Sequence, residues 1–154
     1  MSKHILVVDD DPGIRKLYTR ALEDTPYMVD TAESGDKALR MHKIFNYDLI
    51  FLDLYMPLMS GIEVIREIRM TDMDVPIYIV TSFYKEFLEE ITKALNDGLK
   101  FEITHKSNTL EKIALIAKET LEGLKIDPKS KDQYNIGSTT TKVRSDELLK
   151  RFPN

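Results

Sequence analysis

Three carboxylates follow short apolar runs in this sequence. Asp9 and Asp10 come directly after residues 5–8, and Asp53 comes directly after residues 49–52. Such runs are typical of strands buried on both faces, as in a parallel sheet. Open α/β sheets bind ligands beyond the carboxyl ends of their strands. Asp53 alone could equally be a residue that merely closes its strand, but with Asp9 and Asp10 it predicts a site.

Carboxylates gathered at one sheet edge repel each other unless one is protonated or a hard cation lies between them. Mg²⁺ suits such a set, since it prefers oxygen ligands and is commonly bound beside phosphoryl groups. Thr81 and Lys106 follow two later strand-like runs and could bind phosphoryl oxygens. Asp is a known nucleophile for phosphoryl transfer. The nucleotide signatures GxxxxGK[S/T] and GxGxxG are missing, so the phosphoryl group is expected from another phosphorylated molecule.

Strand-like and helix-like patterns alternate five times along the chain. Strands are predicted at residues 4–8, 28–32, 49–54, 76–80 and 101–104, with amphipathic helices between them and after the last. Asp11, Ser34 and Ser60 are the predicted helix N-caps. This alternation indicates an α/β fold with right-handed crossovers and a parallel sheet. The second and fifth strands are the most polar and belong at the edges, which gives the doubly wound order 2-1-3-4-5.

The composition is that of a soluble globular protein, with 42% hydrophobic and 31% charged residues. No cysteine is present, which excludes disulfides and thiolate metal sites. No signal peptide or membrane span is evident, so we expect a cytoplasmic protein without membrane contact. Residues 126–154 contain six Lys or Arg and four Asp or Glu and so have a net charge of +2. Because the whole chain has a net charge of −4, residues 1–125 have a net charge of −6. Such an acidic body is unsuited to direct nucleic-acid binding.

The periodic pattern stops near residue 125. We predict one domain at residues 1–125 and a flexible tail or linker at 126–154, in which residues 145–152 could form a short helix. Eight residues form only a marginal helix in water when isolated. The segment is too short for an independent folded domain.

These motifs together resemble the receiver domain of bacterial two-component response regulators, of the chemotaxis-regulator type. The resemblance covers about residues 3–124 and rests on four elements as they stand here: Val-Val-Asp9-Asp10-Asp11-Pro, Asp53-Leu-Tyr-Met-Pro-Leu-Met-Ser-Gly61, Val-Thr81-Ser82, and Lys106. It implies a flavodoxin-like (βα)5 fold. It further implies a protein that is not an enzyme beyond catalysing its own phosphorylation and dephosphorylation.

The resemblance also implies a role for each matching residue. Asp53 would accept phosphate from a histidine kinase or histidine phosphotransfer protein. Asp10 directly, Asp9 through water and the Tyr55 carbonyl would hold Mg²⁺ together with Asp53. Thr81 and Lys106 would bind the phosphoryl oxygens, and small Ser82 would leave room for the group. The resulting movement would reach the face of helix 4, strand 5 and helix 5, where an unidentified protein target, or a second copy of the chain, would bind.

Two positions depart from the family pattern. The family usually has Lys-Pro with a cis peptide bond, whereas Lys106 precedes Ser107 here, so we expect a trans bond, because a cis bond before serine costs roughly 3–4 kcal/mol. The usual switch aromatic is replaced by Ile103; Phe101 could substitute for it or simply belong to the core. His105 is expected to face solvent. Tyr55 and Phe83 flank the predicted site, which gives the hypothesis that they shield an acyl phosphate from water.

Two other functions remain open at this point. A degenerate receiver that acts only as an interaction module would fit the Ile103 and Ser107 departures. A Mg²⁺-dependent phosphatase of the haloacid-dehalogenase type would use Asp9 as nucleophile, since Asp9-x-Asp11 follows the first strand. That second class expects Thr or Val where this chain has Gly13.

Overall fold

The structure is a computed structural model that describes residues 2–82, 85–106 and 109–123. Five strands and five helices alternate along this part of the chain. Their bounds are β1 His4–Val8, α1 Pro12–Leu22, β2 Met28–Ala32, α2 Gly35–Ile44, β3 Leu49–Asp53, α3 Gly61–Arg69, β4 Ile77–Thr81, α4 Leu88–Asn96, β5 Glu102–His105 and α5 Leu110–Glu122.

All four strand pairings are parallel, and the strand order is β2-β1-β3-β4-β5. This confirms the predicted α/β class, the flavodoxin-like architecture and the strand order. The three central strands are the three with the most apolar sequences; β3 and β4 are buried along their whole length. The edge strands β2 and β5 are partly exposed, as their mixed sequences predict.

The core has two layers, one on each face of the sheet. One buried cluster packs α2, α3 and α4 against the sheet through residues such as Ala38, Ile65 and Ile91. The other packs α1 and α5 through residues such as Tyr18 and Ile116. Because side chains alternate along a strand, Ile5 and Val7 face the α1–α5 layer while Leu6 and Val8 face the other.

The predicted caps are confirmed at three helices. Asp11 caps α1, with Pro12 in the first turn, Ser34 caps α2, and Ser60 forms a full capping box with Glu63 at α3. Each cap satisfies backbone N–H groups that would otherwise have no partner at the start of a helix.

Some predicted bounds were wrong by one residue. The apolar spacing of Phe87, Leu88, Ile91 and Leu95 predicts that all four lie in the fourth helix, whereas α4 begins at Leu88, and Phe87 is its N-cap and packs against the core. β5 comprises Glu102–His105, so Phe101 precedes the strand. Side-chain packing determines where these two elements begin, and the spacing of apolar residues in the sequence does not predict that position to within one residue. The predicted tail at residues 126–154 lies outside the described residues. Within the described part, no helix has the length and apolar character needed to cross a bilayer.

Candidate phosphoryl and metal site

The two buried carboxylates lie at the carboxyl ends of neighbouring strands. Asp53 is the last residue of β3 and Asp9 directly follows β1, and both are almost completely buried. Their side chains project from the same sheet face because Val7 and Phe51, two residues earlier, both face the α1–α5 layer. Asp10 is exposed at the rim. Carboxylate oxygens of Asp9, Asp10 and Asp53 all lie within 4.8 Å of one another.

Hydrogen bonds within the β1–α1 turn hold Asp9 in place. The Asp9 Oδ1 atom accepts a hydrogen bond from the Asp11 backbone N–H at 2.9 Å, and Asp11 in turn accepts one from the Gly13 N–H at 2.8 Å. Arg15 reaches back from α1 and donates from Nη1 to the Asp9 carbonyl oxygen at 2.8 Å. The turn therefore fixes both the backbone and the carboxylate of Asp9.

The β3–α3 loop is held against the end of β3 with no room for another side chain. The Gly61 N–H donates to the Leu54 carbonyl oxygen at 2.9 Å. A Cβ atom at Gly61 would lie 2.5 Å from the Asp53 carbonyl oxygen and 3.0 Å from Leu54 Cα. Both contacts involve backbone atoms, which cannot rotate away. Gly61 therefore lets the loop close on the peptide of Asp53.

The same loop contains Leu58, whose φ of 71° lies in the left-handed region and whose side chain is fully exposed. This conformation is unfavourable for a residue with a Cβ atom. The buried methionine of the loop, Met56, belongs to the core, and Met59 packs against it.

Lys106 connects the two carboxylates. Its Nζ atom lies 3.1 Å from Asp9 Oδ2 and 3.4 Å from Asp53 Oδ2. The backbone N–H of Lys106 donates to the Thr81 carbonyl oxygen at 3.2 Å, which fixes the end of β5 to the end of β4. The structure therefore brings Lys106 into the predicted site, whereas the peptide bond to Ser107 lies outside the described residues.

Burial and mutual repulsion dominate the electrostatics of the pair. Burial and the Asp9 charge raise the pKa of Asp53 to about 7, although Lys106 and the Tyr55 N–H, which hydrogen-bonds the carboxylate, act in the opposite direction. Burial likewise raises the pKa of Asp9 above its usual range. Burial disfavours the charge of Lys106, but Asp53 and Asp9 outweigh this effect and its pKa is raised. One ammonium does not fully compensate two buried carboxylates.

A hard divalent cation fits this donor set. All three side chains offer carboxylate oxygens, the ligand type that Mg²⁺ prefers, and exposed Asp10 leaves one side open to water. The remaining predicted groups lie around it. Thr81 is the last residue of β4 and is buried, Ser82 next to it is exposed, and His105 is exposed as expected. The Tyr55 side chain is exposed, and its ring lies 5.8 Å from that of Phe87.

The sequence model of the response regulator receiver domain matches residues 5–118, most of the described chain. The chain belongs to the response regulator receiver domain family. Its receiver relatives include the chemotaxis protein CheY of Halobacterium salinarum, 36% identical over 104 residues that cover 68% of this chain and 85% of CheY. The response regulator MprA of Mycobacterium tuberculosis is 42% identical over 98 residues, 64% of this chain and 42% of that protein.

The chain spans only 27% of the transcriptional regulatory protein ResD of Bacillus subtilis, to which it is 54% identical over 65 residues, 42% of the chain. Among solved structures, Vibrio cholerae CheY4 superposes with a TM-score of 0.69 at 26% identity, covering 78% of this chain and 99% of that chain. Thermotoga maritima TrrA, solved in complex with Mg²⁺–BeF, gives a TM-score of 0.65 at 36% identity, covering 77% and 98%.

Two site features were missed by sequence reasoning. Helical spacing marks Tyr18 as a core residue, and nothing in the sequence reveals that its buried hydroxyl has no hydrogen-bond partner among the described residues. The contact between Tyr55 and Phe87 was also missed, since Tyr55 was paired with Phe83. Phe83 lies outside the described residues. Phe101 and Ile103 both pack against the core, which favours the core interpretation of Phe101.

Proposed function

We propose that this chain is a response regulator whose receiver domain accepts a phosphoryl group on Asp53 in a Mg²⁺-dependent reaction. The donor is the phosphohistidine of a histidine kinase or a histidine phosphotransfer protein. The observation that carries the proposal is the arrangement at the sheet edge. Three carboxylates lie within 4.8 Å, and Lys106 Nζ is close to the two buried ones.

Asp53 is the nucleophile. A carboxylate oxygen attacks phosphorus as the P–N bond to the donor imidazole breaks, and the bonding electron pair leaves with that nitrogen. Asp9, Asp10, Asp53 and the Tyr55 carbonyl oxygen would hold Mg²⁺, which when bound neutralises charge on the transferred group. Lys106 supplies a second positive charge, and Thr81 provides a hydroxyl donor. The raised pKa of Asp53 means that a cation also favours the reactive anionic form.

The output is a change in the face formed by α4, β5 and α5. Phosphorylation adds charge and acceptor oxygens beside Thr81 and Lys106, whose backbones are hydrogen-bonded to each other. A phosphoryl group added there would interact differently with two conformations of the face formed by α4, β5 and α5, and so would shift the population between them. An unidentified protein target, or a second copy of the chain, would read the altered face.

The remaining parts of the proposal concern the whole protein. Residues 1–125 form the receiver, and residues 126–154 form a tail or linker. We propose a cytoplasmic protein that signals by protein contact, without direct nucleic-acid or membrane binding and without catalysis beyond its own phosphorylation and dephosphorylation. The similarity to the chemotaxis protein CheY, of which this chain covers 85%, supports the receiver part of the proposal. ResD and MprA extend well beyond the matched part, so their outputs do not transfer to this chain.

The test is phosphorylation by acetyl phosphate with Mg²⁺, read by intact-protein and peptide mass spectrometry. We expect one labile phosphoryl group on Asp53, lost in Asp53→Ala and in the presence of EDTA. Asp24→Ala, which removes an exposed carboxylate at the end of α1, should react like the wild type. Phosphate on Asp9 would instead support the phosphatase alternative, and no incorporation would support the interaction module.

A further inference from the structure

The Tyr18 hydroxyl is a buried polar group without a partner. Tyr18 lies on α1, is 2% exposed, and packs its ring 5.0 Å from that of Phe51. Among the described residues, only two buried side-chain polar atoms lack a hydrogen bond, His4 Nε2 and the Tyr18 hydroxyl. The His4 atom lies 2.9 Å from an Asp30 carboxylate oxygen. The Tyr18 oxygen has no hydrogen-bond partner within the part of the chain that the structure describes.

The acidic pair lies on the same side of the sheet as Tyr18. Val7 and Phe51 belong with Tyr18 to the α1–α5 core layer, and Asp9 and Asp53 follow them by two residues on the same face. Tyr18 therefore lies on the sheet face from which the two carboxylates project, whereas Asp10 is exposed at the rim. Burial, together with the charges of Asp9 and Asp53, raises the pKa of Tyr18 above its ordinary value, so the hydroxyl keeps its proton and can donate a hydrogen bond.

We propose that Tyr18 is a positioning residue of this site, and that its hydroxyl donates through one buried water molecule to the Asp9–Asp53 carboxylate pair. Buried polar groups are nearly always hydrogen-bonded, and a buried water commonly joins those that cannot meet directly. The carboxylates have acceptor capacity left for this bond. Asp9 Oδ1 accepts one backbone N–H, and Lys106 approaches only the Oδ2 atoms of the two residues.

The effect on function follows from orientation. A donor on the inner side restrains the rotation of the carboxylates, so that their remaining lone pairs point outward to the cation and to the incoming phosphoryl group. A restrained carboxylate loses less freedom when it binds a cation or reacts. Tyr18 contacts neither cation nor phosphoryl group and acts only through Asp9 and Asp53. The part of this inference that concerns phosphorylation rests on the proposed function, whereas the part that concerns cation binding does not.

The variant Tyr18→Phe removes only the hydroxyl. The matched control is Tyr78→Phe, since Tyr78 lies in the same core layer with its ring 6.0 Å from Phe51, and its hydroxyl bonds Thr120 away from the carboxylates. We would measure the Mg²⁺ dissociation constant by calorimetry, the rate of phosphorylation by acetyl phosphate at saturating Mg²⁺, and the thermal unfolding midpoint without metal.

For Tyr18→Phe we expect Mg²⁺ binding about threefold to tenfold weaker, phosphorylation slower by a similar factor, and no rise in the unfolding midpoint. For Tyr78→Phe we expect a lower midpoint with unchanged binding and rate. If the Tyr18 hydroxyl is only a buried group without a hydrogen bond, its removal should raise the unfolding midpoint. The Mg²⁺ dissociation constant and the phosphorylation rate would then be unchanged. That result overturns the inference.

Two further measurements keep the outcomes separate. If the wild type binds Mg²⁺ but takes no phosphoryl group, the proposed function fails and the Tyr18 inference is still decided by the Mg²⁺ constants. A high-resolution crystal structure of the wild type provides a check that needs no variant. We expect a water within hydrogen-bond distance of Tyr18 Oη and of a carboxylate oxygen of Asp9 or Asp53. Its absence from well-ordered density overturns the inference.

Discussion

The acidic side of the site (Asp9, Asp10 and Asp53) and the lysine side (Thr81 and Lys106) are restrained differently. On the acidic side, the helices that follow β1 and β3 have side-chain caps, and Gly61 closes the loop on the Asp53 peptide. On the lysine side, β5 is a partly exposed edge strand, and α4, which begins at Leu88, has no side-chain hydrogen bond from its N-cap Phe87.

This difference matches the role that we propose for each side. A cation site needs its oxygen ligands at fixed positions, so local hydrogen bonds that hold the acidic side are useful there. A side that responds to an added phosphoryl group needs two accessible arrangements, and elements with fewer restraints provide them at lower free energy. Five variants test this difference between the two sides.

The acidic side should destabilise the metal-free protein as pH rises. The Asp53 pKa is about 7 in the folded protein and near 3.8 in the unfolded chain, so between these values the folded state holds a proton that the unfolded state has lost. Stability then falls as pH rises through this window, by at most about 4 kcal/mol. The free energy of unfolding of Asp53→Asn, measured by urea unfolding in EDTA, should equal that of the wild type at pH 4 and exceed it at pH 8. A difference independent of pH, or the same gain in Asp24→Asn, would contradict this.

On the lysine side, Lys106→Met should separate cation binding from reactivity. The ammonium competes with Mg²⁺ for the Asp9 and Asp53 carboxylates, so its removal should tighten Mg²⁺ binding. The substitution also removes a positive charge that would lie beside the transferred phosphoryl group, so phosphorylation at saturating Mg²⁺ should slow by about 10²-fold. Calorimetry and acetyl phosphate kinetics give the two values. If the Mg²⁺ affinity and the phosphorylation rate both fall, Lys106 does not compete with the cation. Lys100→Met, which removes an exposed lysine, is the control and should change neither quantity.

Gly61→Ala tests the rigidity of the acidic side. The new Cβ would lie 2.5 Å from the Asp53 carbonyl oxygen, so backbone must move, and we expect a loss of about 2 kcal/mol in unfolding free energy. Gly13→Ala is the matched control, because its Cβ meets only the Asp11 side chain, at 3.1 Å. Equal effects of the two substitutions in urea unfolding would mean that the loop yields easily.

The strained residue of the same loop offers a gain. Leu58→Asn should stabilise the protein by about 1 kcal/mol, since Asn tolerates the left-handed conformation better than Leu does. Leu58→Ala removes the same exposed apolar surface but keeps the strain, so it should show no gain in thermal unfolding. A gain from Ala equal to that from Asn would assign the effect to the exposed side chain.

The smallest effect concerns the lifetime of the phosphoryl group. We expect Tyr55→Asn to shorten this lifetime about threefold, because the smaller, polar side chain would shield the acyl phosphate less from water. This factor corresponds to a change of less than about 1 kcal/mol in the activation free energy of hydrolysis. Phe87→Leu, which removes the ring that Tyr55 contacts, should have a smaller effect in the same direction. The measurement is loss of phosphate after the donor is removed, and an unchanged half-life in Tyr55→Asn contradicts the shielding hypothesis.

The sequence predicted what depends on local pattern. Apolar runs such as residues 49–52 identify buried strands, and the acids at their ends follow from position in the sheet. Thr81 and Lys106 were placed by the family resemblance together with strand order. The structure agrees with these assignments because side-chain alternation and parallel pairing leave few other arrangements.

Features that depend on distant backbone could not be predicted. Gly61 looks like an ordinary helix-start glycine until the Asp53 carbonyl is placed beside it. Leu58 carries no sequence signal for a positive φ, which usually favours Gly or Asn. Tyr18 follows core spacing like its neighbours, and only the packing of α1 on the sheet shows that its hydroxyl is buried on the same side as Asp9 and Asp53.

The contact between Asp9 and Lys106 joins the first and the last strands of the fold to be synthesised. During synthesis, a chain that has not yet extended past residue 106 lacks the ammonium that lies between the two buried carboxylates. The charge arrangement at Asp53 is therefore completed only by the last strand, when the whole sheet has assembled. Incomplete or truncated chains would bear the acids without the lysine, which couples the reactivity of this edge to the completion of folding.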